Sequence, residues 1–364
     1  MKTHNQLYGE ICSFENLLRA ARRAESGKRL QDVVGQFRSN LEAQLLELGQ
    51  ELRAQTYRPG RYRVKWITRP KRRMISAAPF RDRVVHHALC QVVMPLFEQK
   101  MIFDLYSNRE QKGTHAAIRR CQEFSRRFPY VLKCDVRKFF PSMDHAVMKA
   151  ALRRTLRCRP TLWLLDTIID ASNAQEPVCS VFPGDDLAVA GLRRVGLPIG
   201  NLTSQWFGCI YLGDFDHWVK EELRCPAYVR YVDDFLLFGE DKRQLAAWRV
   251  AVAEKLASFR LRLHDRKSRV FQTRDGLTFL GQRVWPWRRR LCRENVAAAR
   301  RRLRWNVRQY QCGALSRDAL LTRWNSWRGH ALQAEGAALT EKVRAELRAY
   351  LGAAGTRASF AARR

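Results

Sequence analysis

Two adjacent aspartates, Asp233 and Asp234, stand between one short apolar run that ends at Arg230 and another that opens at Phe235. A third, Asp135, closes a further apolar run that begins at Tyr130. Carboxylates at a hairpin turn and at the end of a neighbouring strand can converge on one point. Such a point can bind two divalent cations about 3.5–4 Å apart and clamp an in-line phosphoryl transfer. Crowded carboxylates repel one another unless cations neutralise them, and Mg²⁺ prefers oxygen ligands, retained waters and substrate phosphates. Asp-Asp also occurs in turns for backbone reasons alone, because Asp tolerates unusual dihedral angles. The third carboxylate is what turns the pair toward chemistry. Asp144 stands further along at the start of a helical pattern and reads as an N-cap, not a fourth ligand.

The surroundings of these acids are strongly basic. Among 364 residues, 67 Lys and Arg face 35 Asp and Glu, a formal charge of +32 with a pI near 10.6. That excess goes beyond what solubility needs and points to a polyanionic partner, a nucleic acid above all. An acidic metal centre inside a basic chain reads as a template-directed polymerase. No apolar run approaches the ~20 residues of a membrane-spanning helix, and Met1 to Gln6 open no apolar signal segment. Ten cysteines sit singly and none pair as C-x-x-C, which fits reduced thiols in a cytosolic compartment and disfavours a zinc site. His86 and His87 are adjacent and would point to different sides of a helix.

The carriers of this chemistry can be read from periodicity. Residues up to about 60 carry helical stripes, Phe14, Leu17, Leu18 and Ala21 in one and Leu41, Leu45, Leu46 and Leu48 in another. Turn chemistry at Tyr57 to Gly60 precedes an alternating strand from Arg61 to Ile67, then a second short strand at Met74 to Ala78. Helical patterns follow at 81–99 and from Thr114, a candidate N-cap, to about Phe128. The strand ending at Asp135 leads to a helix near Asp144, an irregular stretch at 172–197, and a helix expected from Leu202 to Glu222. After the Asp233-Asp234 hairpin come a helix at 241–259 and strands at Arg269 to Gln272 and Leu277 to Val284. The order strand, helix, strand, strand, helix, strand is a ferredoxin-like split βαβ arrangement. Its first strand lies beside the hairpin, so Asp135 can meet Asp233 and Asp234.

From residue 287 onward there are 18 Lys and Arg against five acids. The clusters Arg288, Arg289, Arg290 and Arg300, Arg301, Arg302 suit phosphate backbones. Trp305, Trp324 and Trp327 are interleaved with Arg, but Leu320, Trp324, Trp327 and Ala331 keep helical spacing, so a helical core is expected for these tryptophans.

Taken in order, these motifs resemble those of a reverse transcriptase over nearly the whole chain. Leu132 to Phe140 is similar to that family's first catalytic motif, and Tyr231-Val232-Asp233-Asp234 to its Tyr-x-Asp-Asp signature. The resemblance implies metal ligation by Asp135, Val136, Asp233 and Asp234. It puts Phe140 against the sugar 2′ position, where it would select deoxynucleotides. Lys267 in Leu263 to Ser268 would lie near the leaving pyrophosphate, and Lys71 and Arg73 would hold the triphosphate. Tyr231 would touch nucleic acid, and Gly276 to Gly281 resembles the primer grip.

One departure carries a subtype. The family's usual Gln-Gly-x-x-x-Ser-Pro element, which packs on the nascent base pair and lines the nucleotide site, reads Ile199-Gly200-Asn201-Leu202-Thr203-Ser204-Gln205 here. Ile199 and Gln205 in those places resemble the reverse transcriptases of diversity-generating retroelements, and Gly200 can let backbone approach the template base. Arg81 to Ala88, Lys112 to Ala117 and Trp327 to His330 point the same way. A second departure puts Asp104-Leu105-Tyr106-Ser107-Asn108-Arg109 where Ser-Tyr-Ala-Cys-Arg is usual, and the Ala/Arg-rich tail after Gly352 looks like an extension.

The resemblance implies an α+β right-hand polymerase with fingers, a ferredoxin-like palm and a helical thumb. The expected organisation is an N-terminal helical segment at 1–60, fingers at 61–130, palm at 131–285 and basic thumb with tail at 286–364. It implies RNA-templated addition of deoxynucleotides with two Mg²⁺ ions, for which Mn²⁺ could substitute. The partners would be template RNA, primer and cDNA, together with a small basic ring-forming accessory protein and no membrane. Copying of a template-repeat RNA with errors at adenines, in a bacterial or phage setting, is the implied role. The alternatives are a bacterial defence reverse transcriptase of retron or abortive-infection type, and a nucleic-acid-binding scaffold that has lost catalysis.

Overall fold

The structure, a computed structural model, describes residues 6–28, 31–68, 72–173, 175–178 and 180–361, with the side chains of 187–189 and 353–361 left out. Lys71, expected at the triphosphate, lies outside the described residues. The chain divides into two compact units, one built from residues up to 113 with 132–237 and 243–269, the other from 114–131, 238–242 and 270–364.

In the first unit the helix Phe14–Glu25 packs along the helix Phe80–Glu98. Ser13 caps the first, its hydroxyl accepting the Asn16 N–H at 3.2 Å, and Leu17, Ala20, Ala21 and Ala24 form the buried stripe. The second is apolar nearly all round, with Val84, Val85, Ala88, Leu89, Val93 and Phe97 buried, and so lies within the core. Strands β1 (Arg63–Ile67) and β2 (Arg73–Ala77) form an antiparallel hairpin in which Arg63 faces Ala77 and Ile67 faces Arg73. The alternation in the sequence gives the strand but not a buried face. β1 is exposed at every position, Trp66 at 48%.

Strands β3 (Tyr130–Asp135), β4 (Ala227–Tyr231), β5 (Asp234–Gly239) and β6 (Arg269–Gln272) form a four-stranded sheet in the order β4-β5-β3-β6. Numbered along the chain this is 2-3-1-4, the order of a split βαβ unit, and it sets the strand ending at Asp135 beside the strand opening at Asp234. The helix His145–Arg153 is capped as its sequence suggests, Asp144 Oδ1 accepting N–H groups of Ala146 at 2.8 Å and Val147 at 3.2 Å. The helix expected from Leu202 to Glu222 is instead two, Leu202–Tyr211 and Gly213–Glu221, broken at Leu212 ahead of the poorly helix-forming Gly213. The irregular stretch at 172–197 contains a short helix, Leu187–Leu192.

In the second unit the expected strand Leu277 to Val284 is a hairpin. β7 (Leu277–Phe279) turns through Leu280 and Gly281, both at positive φ, into β8 (Gln282–Val284). A third strand, β9 (Arg289–Leu291), pairs Leu291 with Gln282 and went unread because its Arg-Arg-Leu sequence has no apolar alternation. The helices Arg293–Gln311, Arg317–Leu332 and Ala337–Ala361 pack on one another. Trp327 packs on the cluster of Leu291, Ala331 and Ala334, with Trp324 at 5.4 Å. Trp305 departs from the helical-core expectation. It is 54% exposed, because on its own helix the buried positions are Ala299, Leu303, Asn306 and Val307. No helix among the described residues is long and apolar enough to cross a membrane.

Candidate active site

β4 carries Tyr228, Val229 and Arg230 into the core, and β5 is buried from Phe235 to Gly239. Between them Val232 and Asp233 make the turn. Val232 has φ +57°, a conformation that a β-branched residue adopts only when its surroundings over-determine it, at a cost on the order of 1–3 kcal/mol. Those surroundings are polar and buried. The Val232 N–H donates to Ser107 Oγ at 3.2 Å, and Arg230 Nη1 donates to the Val232 carbonyl at 3.0 Å. Arg230 is fully buried; its Nε donates to Asp216 Oδ1 at 2.7 Å and its Nη2 to the Cys209 carbonyl at 3.0 Å. The Tyr228 hydroxyl completes the Asp216 carboxylate at 2.8 Å. Removing one member of such a pair strands a buried charge and costs about 3–5 kcal/mol.

Reading of the sequence passed over Arg230, Asp216 and Ser107. A signal was present: a lone Arg inside the apolar run of β4, and a lone Asp between Phe215 and the aromatic Trp218 on a helix, are charges that burial tolerates only as pairs.

Across the sheet, the Asp135 carboxylate forms an ion pair with Lys267. Its main chain is held as well, the N–H donating to Ser268 Oγ at 3.3 Å and the carbonyl accepting from His264 N–H at 2.8 Å. Asp233 is pushed up to about 6, first by burial, then by the neighbouring negative charges of Asp234 and Asp135, with Arg73 acting in the opposite direction. Asp135, Asp233, Asp234, Lys267 and Arg73 therefore belong to one electrostatic neighbourhood. Tyr231, at the end of β4, is half-buried beside it.

The donor chemistry fits a hard divalent cation, since every candidate ligand is an oxygen. Val136 can add a carbonyl. It bridges Leu263, but the hydrogen bonds of that bridge run through Arg137 to the Arg262 carbonyl and through His264 to the Asp135 carbonyl, both at 2.8 Å. As the side chains stand, no group of three or more His, Cys, Asp or Glu among the described residues closes on a point that could hold an ion. Lys267 meanwhile supplies the positive charge at Asp135.

The Ile199–Gln205 element docks at β2 through the Ile199 carbonyl and the Asn201 side-chain amide. The Ile199 carbonyl accepts from Ser76 N–H at 2.9 Å; Asn201 Oδ1 accepts from Ala78 N–H at 3.1 Å, and Asn201 Nδ2 donates to the Ser76 carbonyl at 2.9 Å. Gly200 has φ +114°, and a Cβ there would lie 2.9 Å from Ile75 Cγ2, so the approach needs glycine. Gln205 is exposed, on the first turn of the helix Leu202–Tyr211. Phe140 is half-buried, edge-on to Phe139 at 5.4 Å, with its carbonyl accepting from Leu197 N–H at 2.9 Å.

In the second unit the six arginines expected at nucleic acid divide. Arg288 lies over the Trp285 ring at 4.6 Å, Arg289 faces Glu335 at 3.7 Å and Arg300 pairs with Glu346 at 2.8 Å. Arg290, Arg301 and Arg302 are exposed.

The family described as reverse transcriptase (RNA-dependent DNA polymerase) matches residues 65–284, which include every acid of this neighbourhood. The chain is also similar to Protein YkfC of Escherichia coli (strain K12), 25% identical over 290 residues that cover 68% of this chain and 73% of that protein.

Proposed function

Because the chain belongs to the reverse transcriptase family, we propose that it copies a template-repeat RNA into adenine-mutagenised cDNA for a diversity-generating retroelement. It is an RNA-directed DNA polymerase, a nucleotidyltransferase, and its substrates are a nucleic-acid template, a primer and deoxynucleotides. In this reading residues 61–130 act as fingers, 131–285 as palm and 286–364 as thumb. A small basic ring-forming protein assists.

Asp135, the Val136 carbonyl, Asp233 and Asp234 would hold two Mg²⁺ ions. Held by these residues, two such ions would supply acidification of the primer 3′-hydroxyl and charge stabilisation of the leaving group. The chain's own residues do the rest. Lys267 sits at Asp135, from where it would offer its proton to departing pyrophosphate. Arg73, at the start of β2, places its charge toward Asp233 and receives the triphosphate. Phe140 closes the space a 2′-hydroxyl would need. The exposed Arg290, Arg301 and Arg302 take backbone phosphates.

The observation that carries the retroelement reading is how Ile199 is held. Its carbonyl and the amide of Asn201 fasten the element to β2, while the Ile199 side chain has no group to hydrogen-bond. A nascent base pair packed on that element meets an alkyl surface in place of a polar contact, so mismatch geometry is policed less strictly. Ile199→Gln is expected to lower misincorporation opposite template adenine while synthesis continues. An added ~1.4 kcal/mol of discrimination changes an error ratio tenfold. Sequencing of cDNA made by both enzymes on one RNA template tests this; equal adenine errors would remove position 199 from the fidelity argument and weaken the retroelement reading, with the polymerase reading left standing.

A further inference from the structure

The segment Asp104–Arg109, which departs from the usual sequence of this family, lies beside β4. Arg230 N–H donates to the Asp104 carbonyl and Tyr106 N–H to the Arg230 carbonyl, both at 3.0 Å. It is anchored at its far end by Arg109, which pairs with Glu98 at 3.0 Å and donates to the Ile102 carbonyl at 2.8 Å. Between these anchors two consecutive side chains reach in different directions. Ser107, 1% exposed, accepts the Val232 N–H at the strained position of the catalytic turn. The same hydroxyl oxygen lies 3.3 Å from Cys209 Sγ, in a hydrogen bond that either group can donate. Asn108, itself at φ +57°, donates through Nδ2 to the Gln205 carbonyl at 3.0 Å and lies 3.5 Å from the same Cys209 sulfur.

One hydroxyl therefore touches the Asp-Asp turn, and the neighbouring amide touches the element that packs on the base pair. Both converge on Cys209, which is carried on the helix Leu202–Tyr211 that follows that element. We propose that Ser107 and Asn108 are positioning residues, a clasp that couples the catalytic turn to the Ile199–Gln205 element so that carboxylate placement and base-pair packing are set together. This rests on the reading of those two regions as parts of one nucleotidyl-transfer centre. Neither residue touches substrate. Ser107 acts through the backbone of Val232, and Asn108 acts through the backbone of Gln205. An alanine at 107 would leave a buried amide unpaired at a residue already held at positive φ.

The test compares the full chain with Ser107→Ala, Ser107→Thr, Asn108→Ala and the Ser107→Ala/Asn108→Ala double variant in single-nucleotide primer extension, with thermal unfolding recorded for each. Ser107→Ala is expected to lower kcat about tenfold, with KM for the deoxynucleotide changed less than about twofold and the protein still folded at the assay temperature despite the unpaired amide. Ser107→Thr, which keeps the hydroxyl, is expected to recover most of the rate. Asn108→Ala is expected to raise KM and misincorporation with kcat nearly kept. The double variant should lose less than the product of the two single losses, because a clasp opened at one end no longer couples the other. Parental kcat in Ser107→Ala overturns the proposal, as does multiplicative loss in the double variant. A rate loss that follows a lowered unfolding midpoint, without recovery by Ser107→Thr, does so too. An unmodified chain that extends no primer would instead remove the active-site reading along with it.

Discussion

Two strand pairs of the first unit are built in opposite ways. Strand β1 stands uncovered, with Val64, Trp66 and Ile67 all exposed and Arg72 over the Trp66 ring at 4.4 Å, while its partner β2 is held at the buried Ser76 by Ile199 and Asn201. The β4–β5 turn is flanked by buried strands and fastened by a fully buried Arg230, Asp216 and the hydroxyls of Tyr228 and Ser107. β1 covers no core, so its opening would expose little buried surface. The second pair keeps Asp233 and Asp234 fixed, because carboxylates that stabilise a transition state must be in place before charge develops. Buried polar bonds hold the carboxylate turn, whereas every residue of β1 is exposed.

The hardest blow to this contrast is chemical. Asp233→Asn is expected to abolish primer extension, a loss of at least ~10³-fold, with RNA affinity nearly unchanged because affinity comes from dispersed Lys and Arg. Filter binding beside an extension assay measures both, and substantial residual synthesis would remove Asp233 from the chemistry. Next in size, Arg230→Met should destabilise the protein by about 3–5 kcal/mol by stranding Asp216. Urea unfolding reads this, and a loss under ~1 kcal/mol would mean that the buried pair does not hold the turn.

Substitutions at the open hairpin should behave differently. Arg73→Ala is expected to raise KM for deoxynucleotide about tenfold with the unfolding midpoint unchanged, since an exposed cation there serves substrate and not the core. A pH series sharpens the point. Asp233 has its folded pKa raised to about 6 from an ordinary 3.8. In the metal-free protein this group binds protons more tightly when folded, so its contribution to stability grows as pH falls from about 6 toward 4 and is lost as pH rises. Urea unfolding of the metal-free protein across this pH range checks it, and a flat profile would remove the shift. Arg73→Ala removes a charge that opposes the shift, so the pH range over which the metal-free protein changes stability should move to higher pH; an unmoved range would separate Arg73 from the carboxylates. The smallest effect is expected at Trp66→Ser, within ~0.5 kcal/mol of the parent in the same unfolding experiment. A larger loss would show that β1 is covered by something in solution.

The three carboxylates, the strand order that brings Asp135 beside the turn, the Asp144 cap and the helical core around Trp327 could all be read in the chain. Each depends on residue type at local or periodic spacing, and such patterns constrain a backbone wherever it goes. The broken helix at Leu212, the arginine-rich β9 and the exposed Trp305 were less legible, because packing neighbours decided between conformations that local sequence leaves close in energy. Partnership was not legible at all. With 67 basic residues and 35 acidic ones, every acid has many possible partners, and nothing in the spacing marks Asp216 for Arg230 or Asp135 for Lys267. Nor does it mark a serine 125 residues upstream for the amide of Val232. The sequence by itself determined which groups could do the chemistry. Tertiary structure alone decided which of them are held, because a buried hydrogen bond forms between surfaces that meet only when the chain has folded, and a charge survives there only if its partner arrives with it.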